Sequence, residues 1–77
     1  MQQGTIQTHF QDLRRRKAFE EKRDLSLRTI AEETGLALAT VQRVSVGKVE
    51  GVRVATLGVL CRYFAVSSIS ELIEYKN

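Results

Sequence analysis

Proline is absent from this 77-residue chain, and cysteine and histidine occur once each. The lone Cys61 supports neither a disulfide framework nor a multi-cysteine metal site. His9 lies far from it in sequence, so a Cys–His catalytic pair has no local support. No apolar run approaches the roughly 20 residues of a membrane span. The opening MQQGTIQTHF lacks the apolar core of a secretory signal, so a cytoplasmic protein that does not engage membranes is expected. Aromatics make up 6% of the chain, and Tyr63 and Tyr75 are too sparse to form a stacking platform for single-stranded nucleic acid. Without proline no helical run carries that breaker, and the glycines sit mainly outside the helix-like runs.

What is present fits one small globular domain: 43% hydrophobic and 27% charged residues. A domain of this size buries only roughly 60–65% of its unfolded surface, which leaves modest stability and makes dimerisation plausible. The formal net charge is +3 and the pI about 9.4, a lean toward polyanions. The densest basic run is RRRK at 14–17, followed by Lys22, Arg23, Arg28, Arg43, Lys48 and Arg53. Taken alone, such a run reads first as a solvated helix face. The carboxylate pairs Glu20-Glu21 and Glu32-Glu33 have no histidine or cysteine near in sequence. No enzyme, metal, cofactor or small-molecule ligand is therefore expected. Cys61 reads as a small buried hydrophobe, His9 as solvated, and Tyr63 and Tyr75 as amphipathic surface residues.

Along the chain, residues 1–6 read as a loose, disordered tail and 7–77 as the folded domain. From Gln7 to Arg23, helix formers surround Phe10, Leu13 and Phe19, a stripe that also passes through Arg16; the stem of Arg16 can lie on the core while its guanidinium reaches water. Ser26 suits a helix N-cap, Ile30 and Ala31 face inward, and Gly35 suits a left-handed helix end. A third helix runs to Val46 with Leu36, Val41 and Val44 on one side; Ala37 ahead of it cannot cap as a serine would. Residues 44–54 alternate apolar and polar, but Gly47 and Gly51 favour a loop. A fourth helix spans Arg53–Phe64 through Val54, Leu57, Leu60, Cys61 and Phe64. Ser68 with Glu71 reads as a capping box opening a last short helix with Ile69, Leu72 and Ile73. Five helices in one all-α domain are expected.

Helices two and three carry the specific signal. Two helices crossing at roughly 90–120° over a short turn need a small residue at closest approach. Ala31 supplies it, Gly35 permits the turn, and Leu36, Val41 and Val44 pin the second helix to the first. Leu38, Ala39, Gln42 and Arg43 are left projecting outward. On these residues the chain resembles the Cro/lambda-repressor-type (XRE-like) helix-turn-helix regulators. The resemblance runs through LSLRTIAEETGLALATVQRVSVGK and then VATLGVLCRYFAVSSISELI, covering about residues 10–75. TIAEETGLALATVQRV is also similar to the LacI-type motif, but that family begins at the motif, whereas some 25 residues precede it here.

The resemblance implies a five-helix lambda-repressor-like fold whose third helix lies in the major groove of double-stranded DNA. Base contacts then fall on Leu38, Ala39, Gln42 and Arg43. Phosphate contacts fall on Ser26, Leu27 and Arg28 at the start of helix two, and on Lys48 and Arg53. Arginine can pair with guanine, glutamine with adenine, and alanine or leucine can pack on a thymine methyl. A homodimer is implied, paired through Ile69, Leu72, Ile73 and Tyr75 and repressing transcription by occlusion. The chain departs from the family pattern at Leu27, where glutamine is frequent. It departs also at Glu20 and Ser45, where an arginine–glutamate ion pair is frequent. Losing both halves together avoids an unpaired buried charge. The rival reading is a protein-interaction module or antitoxin that keeps the fold with weak or no DNA binding. It would present Leu27, Leu38, Ala39, Val46 and Val49 as an apolar contact surface.

Overall fold

A computed structural model describes residues 4–76. The elements run β1 (Thr5–Thr8), α1 (Phe10–Glu21), α2 (Leu27–Thr34), α3 (Leu38–Ser45), α4 (Val54–Tyr63), a 3-10 turn (Ile69–Glu71) and β2 (Ile73–Lys76). The four helices enclose a core of Phe10, Leu13, Leu25, Ile30, Ala31, Val41, Val44, Leu60, Cys61, Phe64, Leu72 and Ile73. Phe10 and Phe64 meet edge to face at 5.2 Å, joining the first helix to the end of the fourth. Phe10 is fully buried. Truncating such a residue costs about 3–5 kcal/mol, a large share of a small domain's stability.

The helix boundaries follow local chemistry. The Ser26 side chain accepts the Thr29 N–H at 3.0 Å and opens α2, and Gly35 closes it at φ 77°. At the other end of the chain the expected fifth helix is replaced by the 3-10 turn and a strand. β1 and β2 pair antiparallel, with Thr5 opposite Lys76 and Thr8 opposite Ile73. Residues 5 and 6 of the expected loose tail, and the expected start of helix one at Gln7, therefore belong to a sheet; residues 1–3 lie outside the described residues. Ile73-Glu74-Tyr75-Lys76 alternates apolar and polar, which suits a strand, and its partner supplies the ladder that no local helix would. The predicted capping box is shifted: Ser68 caps Ser70, while the Glu71 carboxylate accepts from Ser67 N–H and hydroxyl.

His9 also departs from expectation. It is half-buried, its backbone N–H donates to the Leu72 carbonyl at 2.8 Å, and its Nε2 lies 3.0 Å from Glu74. Phe19, expected on the inner stripe, is 84% exposed. At about 100° per residue it stands about 180° from Phe10 around the helix. Arg14 and Lys17 share the inner side with Phe10, and both are half-buried.

This geometry consumes the basic run. Arg14 bonds Gln11 and the Leu25 carbonyl, Arg15 pairs with Asp12, and Arg16 donates to the Phe64 carbonyl at 3.0 Å. The Arg16 guanidinium thus serves the C-terminal end of α4, where a cation complements the helix dipole, while the residue stays exposed. Lys17 closes a ring of contacts joining α1, α2 and α4. It bonds Glu21 at 2.6 Å, Glu21 meets Arg23 at 2.8 Å, and Arg23 grips both oxygens of Glu33 at 2.5 and 2.8 Å. The Tyr63 hydroxyl donates to Glu33 at 2.6 Å, and Lys17 sits 4.5 Å from the centre of the Tyr63 ring.

The Arg23 guanidinium, then the Tyr63 hydroxyl, hold the Glu33 carboxyl down at about 2. Partial burial, then the hydrogen bond to Glu33, pushes the Tyr63 phenol up to about 12. Glu33 therefore contributes stability that is present above its ordinary value near 4.5 and is lost as pH falls through about 2. Tyr63 contributes stability present below about 10 and lost as pH rises through about 12. Thermal melts across pH will show both limbs. Glu33→Gln will flatten part of the acid limb, and Tyr63→Phe part of the alkaline one. An unchanged acid limb in Glu33→Gln would contradict this account of the ring.

Candidate nucleic-acid interface

α3 is amphipathic in the register that the sequence suggests. Val41, Val44 and Ser45 are buried, while Ala39, Gln42, Arg43 and Val46 are exposed at three- and four-residue spacing, so they share one outward face. Ser45 satisfies its hydroxyl by donating to the Gln42 carbonyl at 2.7 Å, and Glu20 is exposed. Neither residue needs the charged partner frequent in the family. Leu38, expected among the base contacts, is half-buried and packs on the core, as do Leu27 and Val49. Of the five residues of the rival apolar surface, only Ala39 and Val46 stand exposed. That is too little for a contiguous sticky patch.

The loop after α3 is tied to the helix through Arg43. The Arg43 carbonyl accepts from Val46 N–H at 3.3 Å and Lys48 N–H at 2.8 Å. Its Nη2 donates to the Glu50 carbonyl. Gly47 and Gly51 turn the loop at φ 83° and 78°, values that favour glycine. Val49 and Val52 bracket its tip, joined by a 3.0 Å bond from Val52 N–H to the Val49 carbonyl, and both pack on the core. Lys48 is exposed beside α3, and Arg53 is exposed as the N-cap of α4.

Ser26 and Arg28 stand exposed at the opening of α2. The Ser26 hydroxyl is already engaged with Thr29, at 3.0 Å to its N–H and 2.9 Å to its hydroxyl. A helix start of this kind presents further backbone N–H groups that suit an anion. Among the described residues, Arg28, Arg43, Lys48 and Arg53 take part in no ion pair. The cations of α1 and the α1–α2 turn are mostly engaged by protein partners, Arg43 is engaged by the Glu50 carbonyl, and Arg28, Lys48 and Arg53 are exposed with no ion pair.

Of the residues assigned to a dimer contact, Leu72 is fully buried and Ile73 is 9% exposed, so both face the chain's own core. Ile69 and Tyr75 remain at the surface. No group of three or more His, Cys, Asp or Glu side chains that could hold a metal ion occurs among the described residues. No helix among them is long and apolar enough to cross a membrane.

A family model for the Cro/C1-type HTH DNA-binding domain matches residues 11–77. The chain belongs to that family. Searches of curated proteins and of solved structures gave no match. Membership fits the α2–α3 crossing and the outward face of α3, and it identifies this Cro/C1-type domain as a DNA-binding module. The sequence pattern located that face but not the bracket around the loop, because the bond from Arg43 to a backbone carbonyl leaves no residue-type signal at position 50.

α3 begins without a side-chain cap, since Ala37 has no acceptor. Its backbone, at φ −65° and ψ 141°, is already that of a capping residue. Ala37→Ser is expected to stabilise the domain by about 0.5–2 kcal/mol. That corresponds to a rise of several degrees in melting temperature at this size. An unchanged or lower melting temperature would show that the start of the helix is not limited by its missing cap.

Proposed function

We propose that this protein is a sequence-specific, DNA-binding transcriptional regulator that acts as a homodimeric repressor by occluding its site. The observation that carries the reading is the exposed face of α3, Ala39 and Gln42 with Arg43, flanked by unpaired Arg28, Lys48 and Arg53. In this reading α3 enters the major groove. Gln42 pairs with adenine N6 and N7, and Ala39 packs on a thymine methyl. Leu38, held by the core, lies at the margin of the contact. The opening of α2 receives a phosphate through its free N–H groups and Arg28. Lys48 and Arg53 meet the backbone from the other side.

A single recognition helix reads few base pairs, so useful affinity calls for two half-sites roughly 34 Å apart. Ile69 and Tyr75 are the residues of the expected pairing region left free for a two-fold contact.

The test is selection of sites from random duplex, followed by competition titration at fixed salt. The selected site is expected to beat random duplex by well over tenfold, about 1.4 kcal/mol. Preference below tenfold would refute sequence-specific regulation and leave the fold as an interaction scaffold. Gln42→Ala is expected to cost about 1–3 kcal/mol at one adenine-preferring position and to flatten selectivity there. Replacing the neighbouring thymine by uracil should cost less, on the order of 1 kcal/mol, because only methyl burial is lost. Lys48→Ala or Arg53→Ala should instead weaken all sequences alike and lower the salt slope by about one. A loss confined to one base position would overturn the phosphate assignment.

A further inference from the structure

The geometry points to Arg43 as a positioning residue that clamps the 46–53 loop to α3, and not as a direct reader of a base. The inference rests on the DNA-binding reading and assigns a role within that interface. Arg43 meets the loop at both of its ends. Its backbone carbonyl accepts from Val46 N–H and Lys48 N–H, at 3.3 and 2.8 Å, and its guanidinium Nη2 donates to the Glu50 carbonyl. The root bonds belong to the backbone and persist in Arg43→Ala; the bond at the tip is what the guanidinium adds.

The guanidinium offers donors along two edges for planar, two-point recognition, and Nη2 belongs to both. A carbonyl on Nη2 engages one of them and draws the group toward the loop. Val49 and Val52 set the loop on the core, but its tip at Glu50 and Gly51 is exposed, and Gly47 and Gly51 both hold positive φ. The Arg43 bond is what ties that tip to the reading helix. Lys48 lies inside the segment so closed, so its reach toward a phosphate is set by the same clamp. The Glu50 contribution is its backbone carbonyl, so the identity of its side chain is immaterial to the clamp.

The experiment compares Arg43→Ala, Lys48→Ala and the double variant on the selected site and on single-position variants of it, across a salt series. Circular dichroism confirms folding, and Glu50→Ala serves as the control that keeps the carbonyl. Arg43→Ala is expected to weaken all sequences several-fold alike and to lower the salt slope by about one, the value of a lost phosphate contact. Adding Lys48→Ala should then change affinity by less than roughly twofold, because the two residues act as one unit. In the free protein, the amides of Lys48 and Val52 should exchange faster in Arg43→Ala than in wild type, and at the wild-type rate in Glu50→Ala. A loss confined to one guanine position, additive effects of the two alanines, or unchanged amide exchange would overturn the clamp while leaving the regulator reading intact. Failure of the wild type to bind any duplex would overturn both.

Discussion

The outward face of α3 is aimed by the seam between α2 and α3, where Ile30 and Ala31 lie in one buried cluster with Val41 and Val44. Ala31 is small enough to let the two helices approach, and Gly35 turns the chain between them in a left-handed conformation. A Cβ at Gly35 would meet no atom within 4 Å. The demand for glycine there comes from the backbone alone. Because four inward residues fix the rotation of α3, Ala39, Gln42 and Arg43 have no choice but to face out. The outward face proposed to meet DNA is therefore a consequence of core packing, and no local preference of those three side chains is needed to produce it.

Around that seam the cations fall into two groups. Those of α1 and the turn after it are drawn into the scaffold. Arg16 satisfies the end of α4, and Lys17 and Arg23 close the ring through Glu21, Glu33 and Tyr63. This ring couples α1, α2 and α4 at the surface, in a protein that lacks the helix-one to helix-three ion pair frequent in its family. Exposed ion pairs are individually weak. A shared, bidentate geometry anchored by a partly buried tyrosine holds better than isolated pairs do. Among the described residues, Arg28, Arg43, Lys48 and Arg53, in and beside the α2–α3 unit, take part in no ion pair, nor do Lys22 and Arg62 elsewhere. The division shows why net charge alone is a poor guide: every cation of the densest basic run already has a partner within the protein.

Much of this was legible in the sequence where the determining chemistry is local. Ser26 and Gly35 bound α2, and the spacing of Val41 and Val44 fixed which side of α3 is buried. The misses are non-local. β1 pairs with residues near the far end of the chain, and Thr5-Ile6-Gln7-Thr8 carries a single apolar residue to announce it. Ile69, Leu72 and Ile73 fit helical spacing as well as they fit a turn followed by a strand, and only the partner strand decides between them. Phe19 has the residue type of a core position, but its angle from Phe10 places it outside the buried stripe. Arg16 bonds a backbone carbonyl, and Arg14 bonds one besides Gln11; a carbonyl carries no side-chain signature, so these contacts leave no mark in the sequence.

The central claim is that α3 and the loop bracketed by Arg43 form the surface that meets DNA, while the basic run of α1 does not. Amide chemical-shift mapping on titration with a selected duplex tests it most directly. The account predicts the largest shifts at 38–43, at 26–28 and at 47–53, with residues 14–17 nearly still. Shifts centred on 14–17 or on the β1–β2 sheet, with α3 unmoved, would contradict it.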